Sequence, residues 1–172
     1  MSPALRRALP SVVSGVRLAL APVLAGVILT GDHRTGAAVL AVGAATDIAD
    51  GALARRLRVA CAAGAWLDVW ADFLLVITGL SALAVRGALP WWCVAVPAAV
   101  FAAFLATSRR PRPVYDPVGK AYGGVLMGSL LVALLAPDAA VHGLLLLAVT
   151  ALSGLVLSAR LRLVLGAGRS AY

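Results

Sequence analysis

The 172-residue sequence contains no glutamate, a single lysine and two cysteines, and charged residues make up only 13% of it. The two cysteines are widely spaced, without a CxxC pattern or a neighbouring histidine, which excludes a disulfide scaffold and argues against a zinc site. So small a charged fraction excludes a disordered chain. The mean hydropathy of +0.99 excludes an ordinary nucleic-acid-binding domain, although the pI is about 11.

Apolar residues dominate the composition. They make up 62% of the chain, whereas a soluble domain averages about 45–50%. Because a helix needs about 20 mostly apolar residues to cross the hydrocarbon, we predict an all-α polytopic membrane protein with six transmembrane helices, in a single domain over residues 1–172. The predicted spans are residues 12–30, 35–53, 64–85, 87–108, 121–137 and 139–159.

The basic residues are distributed unequally between the two sides of the predicted spans. Thirteen of the fifteen lie near the termini or in the connections at 55–64 and 108–120, and only Arg34 and Arg86 lie on the other side. Since cytoplasmic loops carry the excess of positive charge, both termini are predicted to be cytoplasmic. The sequence thus predicts a multi-pass protein of the cell membrane.

Four of the seven acidic residues, all aspartates, fall inside predicted spans. Asp47 and Asp50 lie about 60° apart on the second helix, and Asp68 and Asp72 about 40° apart on the third. If these helices are antiparallel neighbours, the four carboxylates meet at matching depths near the cytoplasmic interface. Such a group of anions needs neutralisation, and oxygen ligands suit Mg²⁺, Mn²⁺ or Ca²⁺. We therefore expect a metal site that faces the cytoplasm.

Other residues near the aspartates fit a phosphorylated ligand. Gly51 and Gly64 allow a ligand close to the backbone, and the permanent charge of Arg55 suits a phosphate. The alternative is that the aspartates form buried ion pairs with Arg17, Arg55 and Arg56. We disfavour that alternative because it buries charge without an evident gain.

The two acidic segments together carry a recognisable pattern. Residues 47–55 read DIADGALAR and residues 64–72 read GAWLDVWAD. They resemble the CDP-alcohol phosphatidyltransferase signature D-x2-D-G-x2-A-R-x8-G-x3-D-x3-D at all eight specified positions, which makes the signal strong. Six membrane helices and cytoplasmic termini also resemble this family.

The resemblance implies a reaction and a set of site residues. A hydroxyl of a small polar alcohol would attack the lipid-side phosphorus of CDP-diacylglycerol, and CMP would leave. Two divalent cations, Mg²⁺ or Mn²⁺, would be the cofactors, and Asp72 would also be the catalytic base. The implied metal ligands are Asp47, Asp50, Asp68 and Asp72, and the residues implied to bind the CDP moiety are Gly51, Ala54, Arg55 and Gly64.

Two further basic segments resemble the family. Residues 10–17 resemble its entry to the first helix, where Arg17 is expected to bind a phosphate or, alternatively, to set the helix orientation. Residues 119–120 resemble the Gly-Lys of relatives that use glycerol phosphate. We therefore expect Lys120, Arg109 and Arg110 to bind the acceptor, with glycerol 3-phosphate favoured over inositol, inositol phosphate or another lipid. These arginines could instead anchor the loop to anionic lipid.

Small residues in the fifth span predict close helix packing. Gly119, Gly123, Gly124 and Gly128 include two GxxxG spacings, which would suit a homodimer. A divalent-cation transporter is a rival interpretation of the aspartates, although such sites are typical of the bilayer midplane and of repeated helices. A membrane scaffold would explain the glycines but not the acids. No nucleic-acid partner is expected.

Overall fold

The structure, a computed structural model, describes residues 3–57, 62–108 and 117–169, and side-chain contacts within 14–47, 64–108 and 121–162. Throughout these ranges the regular elements are helices, which confirms the predicted all-α class. The helices are α1 (Pro3–Thr30), α2 (His33–Leu57), α3 (Ala62–Val85), α4 (Trp92–Thr107), α5 (Pro117–Leu135) and α6 (Ala139–Arg169).

Two of the helical segments, Gly64–Val85 and Ala139–Arg162, are long and apolar enough to cross a membrane. Shorter apolar helical segments are Ser14–Thr30, Trp92–Thr107 and Ala121–Leu135. Large apolar side chains on the outside of α6, with Leu144 and Leu147 more than two-thirds exposed, suit a surface covered by lipid. The apolar helices agree with a membrane protein, whereas the count of six spans and the cytoplasmic termini remain predictions.

The connection between α1 and α2 is a short capped turn. Gly31 ends α1 with φ at 91°, a conformation that favours glycine, and its amide donates to the Ile28 carbonyl at 3.0 Å. Asp32 then caps α2 by accepting hydrogen bonds from the Thr35 amide at 3.0 Å and from the Thr35 hydroxyl. These bonds from Thr35 hold the pKa of Asp32 below its usual value. The turn brings α2 back alongside α1.

Helix α1 packs against both helices that carry the acidic signature, most extensively against α3. Its buried face repeats every three or four residues and runs through Ser14, Arg17, Ala21, Leu24 and Ile28. This is the spacing of one face of a helix, and Arg17 is the charged member of it. Helices α4, α5 and α6 complete the core, because α5 packs against α2, α3 and α6, and α4 packs against α3 and α6.

Two glycines without a GxxxG spacing allow the closest helix contacts. A Cβ atom on Gly43 would lie 2.7 Å from Leu75 Cδ2, and one on Gly79 would lie 2.5 Å from Leu130 Cδ2. Real Cβ atoms do not approach other atoms so closely, so a larger residue at either position would force the leucine side chain or the helices to shift.

The α5 glycines differ from the expectation of close packing within the chain. A Cβ on Gly123, Gly124 or Gly128 would meet no described atom within 4 Å. For Gly124 and Gly128 the reason is that α5 uses its other face for the core, through Tyr122, Leu126, Leu130, Ala133 and Leu134. Packing of the glycine face between two copies of the chain remains a prediction.

Aromatic rings join α3 to α4. Phe73 and Phe101 stack with their centroids 3.8 Å apart, and Trp70 lies edge-on to Phe101 at 5.0 Å. Trp66 contacts Phe104 at 6.0 Å. The Arg160 guanidinium of α6 lies 4.8 Å from the centroid of Phe104, so the cluster also reaches the last helix.

Candidate active site

Three helices bring four charged side chains together. The Arg17 guanidinium of α1 pairs with Asp47 of α2, with Nη1 to Oδ1 at 3.1 Å. The same guanidinium donates hydrogen bonds to Asp68 and Asp72 of α3 through Nη2 and Nη1. One arginine therefore bridges three of the four aspartates of the signature.

The four side chains differ in their access to solvent. Arg17 is completely buried, whereas the side chains of Asp47, Asp68 and Asp72 are 43%, 36% and 37% exposed. The arginine thus approaches the carboxylates from inside the helix packing, and the carboxylates stay accessible to a ligand from outside it. Ser14, one turn before Arg17, is also buried, and its hydroxyl lies 3.5 Å from Asp68 Oδ1.

Helix periodicity places these side chains. On α2, Gly43 lies four residues before Asp47, and on α3, Leu75 lies three residues after Asp72, so each belongs to the same face as its aspartate. The close contact between Gly43 and Leu75 therefore lies about one helical turn from the carboxylates. It is a side-chain contact between α3 and α2 near the depth where the aspartates meet, and α1 packs against both helices.

The structure brings together part of the set of residues selected from the sequence. Asp47, Asp68, Asp72 and Arg17 meet, and Gly64 lies in the first turn of α3. Asp50, Gly51, Ala54 and Arg55 lie on the last turns of α2 and Lys120 on the first turn of α5, but their side chains are outside the described part. Arg109 and Arg110 lie outside the described residues altogether. Their predicted roles remain predictions.

The ion pairing that the sequence analysis disfavoured is present for Arg17. Its physical reason is that three carboxylates gathered between packed helices repel one another, and a buried guanidinium with several donors offsets that repulsion. The sequence signal was the position of Arg17, which shares a three-or-four-residue spacing with Ser14 and Ala21. The corresponding pairing by Arg55 and Arg56 falls on side chains that the structure does not describe.

Comparison with known proteins agrees with the motif. The sequence model of the CDP-alcohol phosphatidyltransferase family matches residues 7–158 of the chain. The chain belongs to the CDP-alcohol phosphatidyltransferase family. The match includes Arg17, the whole signature and most of α6, so it covers the site together with the helices that support it.

Several curated relatives resemble part of the chain. A Mycobacterium tuberculosis protein named putative cardiolipin synthase is 36% identical over 86 residues, and one named probable phosphatidylglycerophosphate synthase is 36% identical over 90 residues. Each comparison covers 49% of this chain, and 41% and 43% of the respective relative. A Drosophila melanogaster protein named probable cardiolipin synthase (CMP-forming) is 34% identical over 89 residues, which are 51% of this chain and 28% of that protein. No solved structure gives a significant match.

The observed side chains fit the divalent cations that the family implies. One carboxylate oxygen from each of Asp47, Asp68 and Asp72 lies within 4.8 Å of the other two, a separation that a shared cation can span. The donors are all oxygen atoms, which suits Mg²⁺ or Mn²⁺ rather than a thiol-selective metal. The arrangement can therefore hold a hard cation at a position that ligands can reach.

Proposed function

We propose that this member of the CDP-alcohol phosphatidyltransferase family transfers a phosphatidyl group from CDP-diacylglycerol to glycerol 3-phosphate and releases CMP. The observation that carries the proposal is the convergence of Asp47, Asp68 and Asp72, three signature aspartates whose carboxylate oxygens lie within 4.8 Å of one another. The word "CMP-forming" in the name of the fruit-fly relative supports the same reaction type. The chain spans less than half the length of these relatives, so the resemblance supports the reaction only in outline.

The signature aspartates have two tasks in this reaction. Asp47, Asp50, Asp68 and Asp72 hold two divalent cations, Mg²⁺ or Mn²⁺, which supply positive charge against the phosphate oxygens in the transition state. Asp72 also accepts the proton of the acceptor hydroxyl. The hydroxyl oxygen forms a bond to the lipid-side phosphorus, the bond from that phosphorus to the CMP oxygen breaks, and CMP leaves with the electron pair.

The remaining residues bind the two substrates. Gly51, Ala54, Arg55 and Gly64 hold the CDP moiety, and Lys120, Arg109 and Arg110 hold the phosphate of the acceptor. The lipid chains of the donor stay in the bilayer while the nucleotide reaches the cytoplasmic side of a multi-pass protein. The partial exposure of the three described aspartates supports a site that is open on that side.

A lipid acceptor is the second candidate. The observation that favours it is that several curated relatives are named cardiolipin synthase, whereas others are named phosphatidylglycerophosphate synthase. A second phospholipid would present its hydroxyl from the bilayer instead of from water. The chemistry at phosphorus and the tasks of the aspartates are the same for both acceptors.

The test is CMP release by the purified full chain in lipid nanodiscs that contain CDP-diacylglycerol. Glycerol 3-phosphate, phosphatidylglycerol, inositol and inositol phosphate are supplied separately, each with Mg²⁺, with Mn²⁺ or with EDTA. We expect CMP release that requires the metal and is fastest with glycerol 3-phosphate. Fastest release with phosphatidylglycerol would show that the acceptor is a phospholipid and not glycerol 3-phosphate. Cation flux without any CMP release would favour the transporter.

The matched variants are Asp72→Asn and Asp138→Asn. Asp138 caps α6 by accepting hydrogen bonds from the amides of Ala140 and Val141 at 2.8 and 3.0 Å, far along the chain from the signature. We expect Asp72→Asn to lower turnover by at least about a hundredfold, since it removes a base and a metal ligand, and Asp138→Asn to leave turnover unchanged. Full turnover in Asp72→Asn would remove Asp72 from catalysis.

A further inference from the structure

The most unusual charge in the structure is Arg17, which is completely buried although it lies on an apolar helix. Its Nη1 atom pairs with Oδ1 of Asp47 and of Asp72, and its Nη2 atom pairs with Oδ1 of Asp68. A guanidinium is permanently charged and presents several donors in a fixed plane, so it can neutralise a group of carboxylates much as a metal ion does. Arg17 therefore neutralises these carboxylates from within the protein, in the place of a metal ion.

A metal ion and Arg17 would compete for the same atoms. A divalent cation held by Asp47, Asp68 and Asp72 would use the same three carboxylates that pair with Arg17. The guanidinium nitrogens already lie within ion-pair distance of one oxygen of each of these side chains. Two cations that share these three carboxylates repel each other, so binding of a metal ion weakens the hold of the carboxylates on Arg17.

We propose that Arg17 is an internal counter-cation that a divalent metal ion displaces from Asp47, Asp68 and Asp72. This inference rests on the proposed function, because it takes the metal site as given. Arg17 is a positioning residue in this scheme. It holds the carboxylates of α2 and α3 together until the metal replaces it.

The exchange has a direction that burial imposes. Arg17 is enclosed by the helix packing, whereas the three carboxylates are each more than a third exposed. A metal ion therefore approaches the carboxylates from their exposed side, whereas Arg17 contacts them from within the helix packing.

The test measures metal binding directly, without turnover. The full chain in nanodiscs is titrated with Mn²⁺, and free Mn²⁺ is followed by electron paramagnetic resonance for the wild type, Arg17→Gln, Arg17→Lys and Arg34→Gln. Arg34 is exposed on the second helix near the opposite end from Asp47, so Arg34→Gln also removes one positive charge but leaves the site intact. We expect Arg17→Gln to bind Mn²⁺ about tenfold more tightly than wild type, and Arg34→Gln to match wild type.

Arg17→Lys and a spectroscopic measurement cover the case in which Arg17→Gln does not fold. A lysine keeps the charge but replaces the planar fork with one ammonium, so we expect an affinity for Mn²⁺ between those of wild type and Arg17→Gln. In the wild type, Mg²⁺ should shift the guanidinium stretching bands in the infrared spectrum of protein labelled with [¹³C]guanidino-arginine. The shift should be missing in Asp72→Asn, in which the metal site is impaired.

The outcomes separate this inference from the proposed function. Tight Mn²⁺ binding that is unchanged or weakened in both Arg17 variants would overturn the displacement of Arg17 and leave the metal site standing. An unshifted guanidinium band in wild type that binds Mg²⁺ would do the same. Failure of wild type and of all variants to bind Mn²⁺ would overturn both proposals.

Discussion

Gly43 of α2 lies against Leu75 of α3 so closely that a Cβ atom on Gly43 would stand 2.7 Å from Leu75 Cδ2. This contact lies about one turn from Asp47 and Asp72, which Arg17 joins. The space that the Leu75 side chain occupies beside α2 therefore depends on the absence of a side chain at position 43.

Gly43→Ala should lower the turnover of each folded molecule as well as the stability of the fold. The added methyl group displaces the Leu75 side chain or one of the helices close to Asp47 and Asp72, and misplaced catalytic groups lose large rate factors. We expect CMP release to fall by about tenfold or more per folded molecule, with a stability loss of roughly 1–3 kcal/mol. The measurements are turnover in nanodiscs and thermal unfolding in the same lipid.

Gly79→Ala is the matched control for that variant. A Cβ on Gly79 would meet Leu130 Cδ2 at 2.5 Å and Leu24 Cδ2 at 3.2 Å, about two turns further along α3 than Asp72. We expect a comparable stability loss with turnover per folded molecule nearly preserved. Equal turnover losses in the two variants would contradict the link between the Gly43 contact and the site.

The three ion pairs of Arg17 should contribute unequally to stability. Removal of one partner leaves a buried charge less well compensated, and Asp47 is the most exposed partner. The comparison is made in EDTA, where no divalent metal contributes. We expect the free energy of unfolding to be lower in Asp68→Asn and Asp72→Asn than in Asp47→Asn, by roughly 1–3 kcal/mol. Thermal unfolding of the three variants checks the order. Three equal losses would show that partial exposure does not weaken the Asp47 pair.

A buried hydrogen bond between α5 and α6 should make a modest contribution to stability. The hydroxyls of Tyr122 and Ser153 lie 2.8 Å apart, and Ser153 also donates to the Val149 carbonyl of its own helix at 2.6 Å. We expect Tyr122→Phe to cost about 1 kcal/mol and Ser153→Ala a similar amount. The double variant should lose less than the sum, since both single variants break the same bond. Strict additivity would show that the two hydroxyls do not interact.

The cap of α2 should make stability depend on pH in acid. Hydrogen bonds from Thr35 lower the pKa of Asp32, so the folded protein favours the ionised carboxylate. The stabilisation is therefore present above the ordinary pKa of an aspartate and is lost as the pH falls through the lowered folded value. Thermal unfolding between neutral pH and about pH 3 should show a small acid-dependent loss that Asp32→Asn reduces. An identical pH profile in Asp32→Asn would contradict the role of the carboxylate.

The sequence was sufficient to predict the helices and the meeting of the aspartates. Helical spacing predicts which face of a helix carries Asp68 and Asp72. Among the described residues, α2 and α3 meet mainly through α1, which packs against both, and not by the direct pairing that the sequence suggested. The prediction that Asp47 joins Asp68 and Asp72 is confirmed by the distances among the carboxylates. The structure extends α1 and α2 beyond the predicted spans, because hydropathy detects the length of an apolar segment and not the capping that ends a helix.

The partners of Arg17 and the close glycine contacts could not be predicted from the sequence. An arginine in an apolar helix gives the same pattern whether it reaches a phosphate, water or carboxylates on other helices, so only the packing of α1 against α2 and α3 decides. Similarly, the GxxxG spacing of α5 indicates a face that permits close packing and not whether a neighbour is there. Gly43 and Gly79, which do make such contacts, belong to no spacing pattern.

The aromatic cluster has a mechanical consequence. Trp66 and Trp70 lie on the face of α3 opposite Asp68 and Asp72, about 160° around the helix, and their rings contact Phe104 and Phe101 of α4. Rotation of α3 about its axis would break the ring contacts on one face and the Arg17 bridges on the other at the same moment. The contacts on its two opposite faces thus fix the orientation of α3 about its own axis.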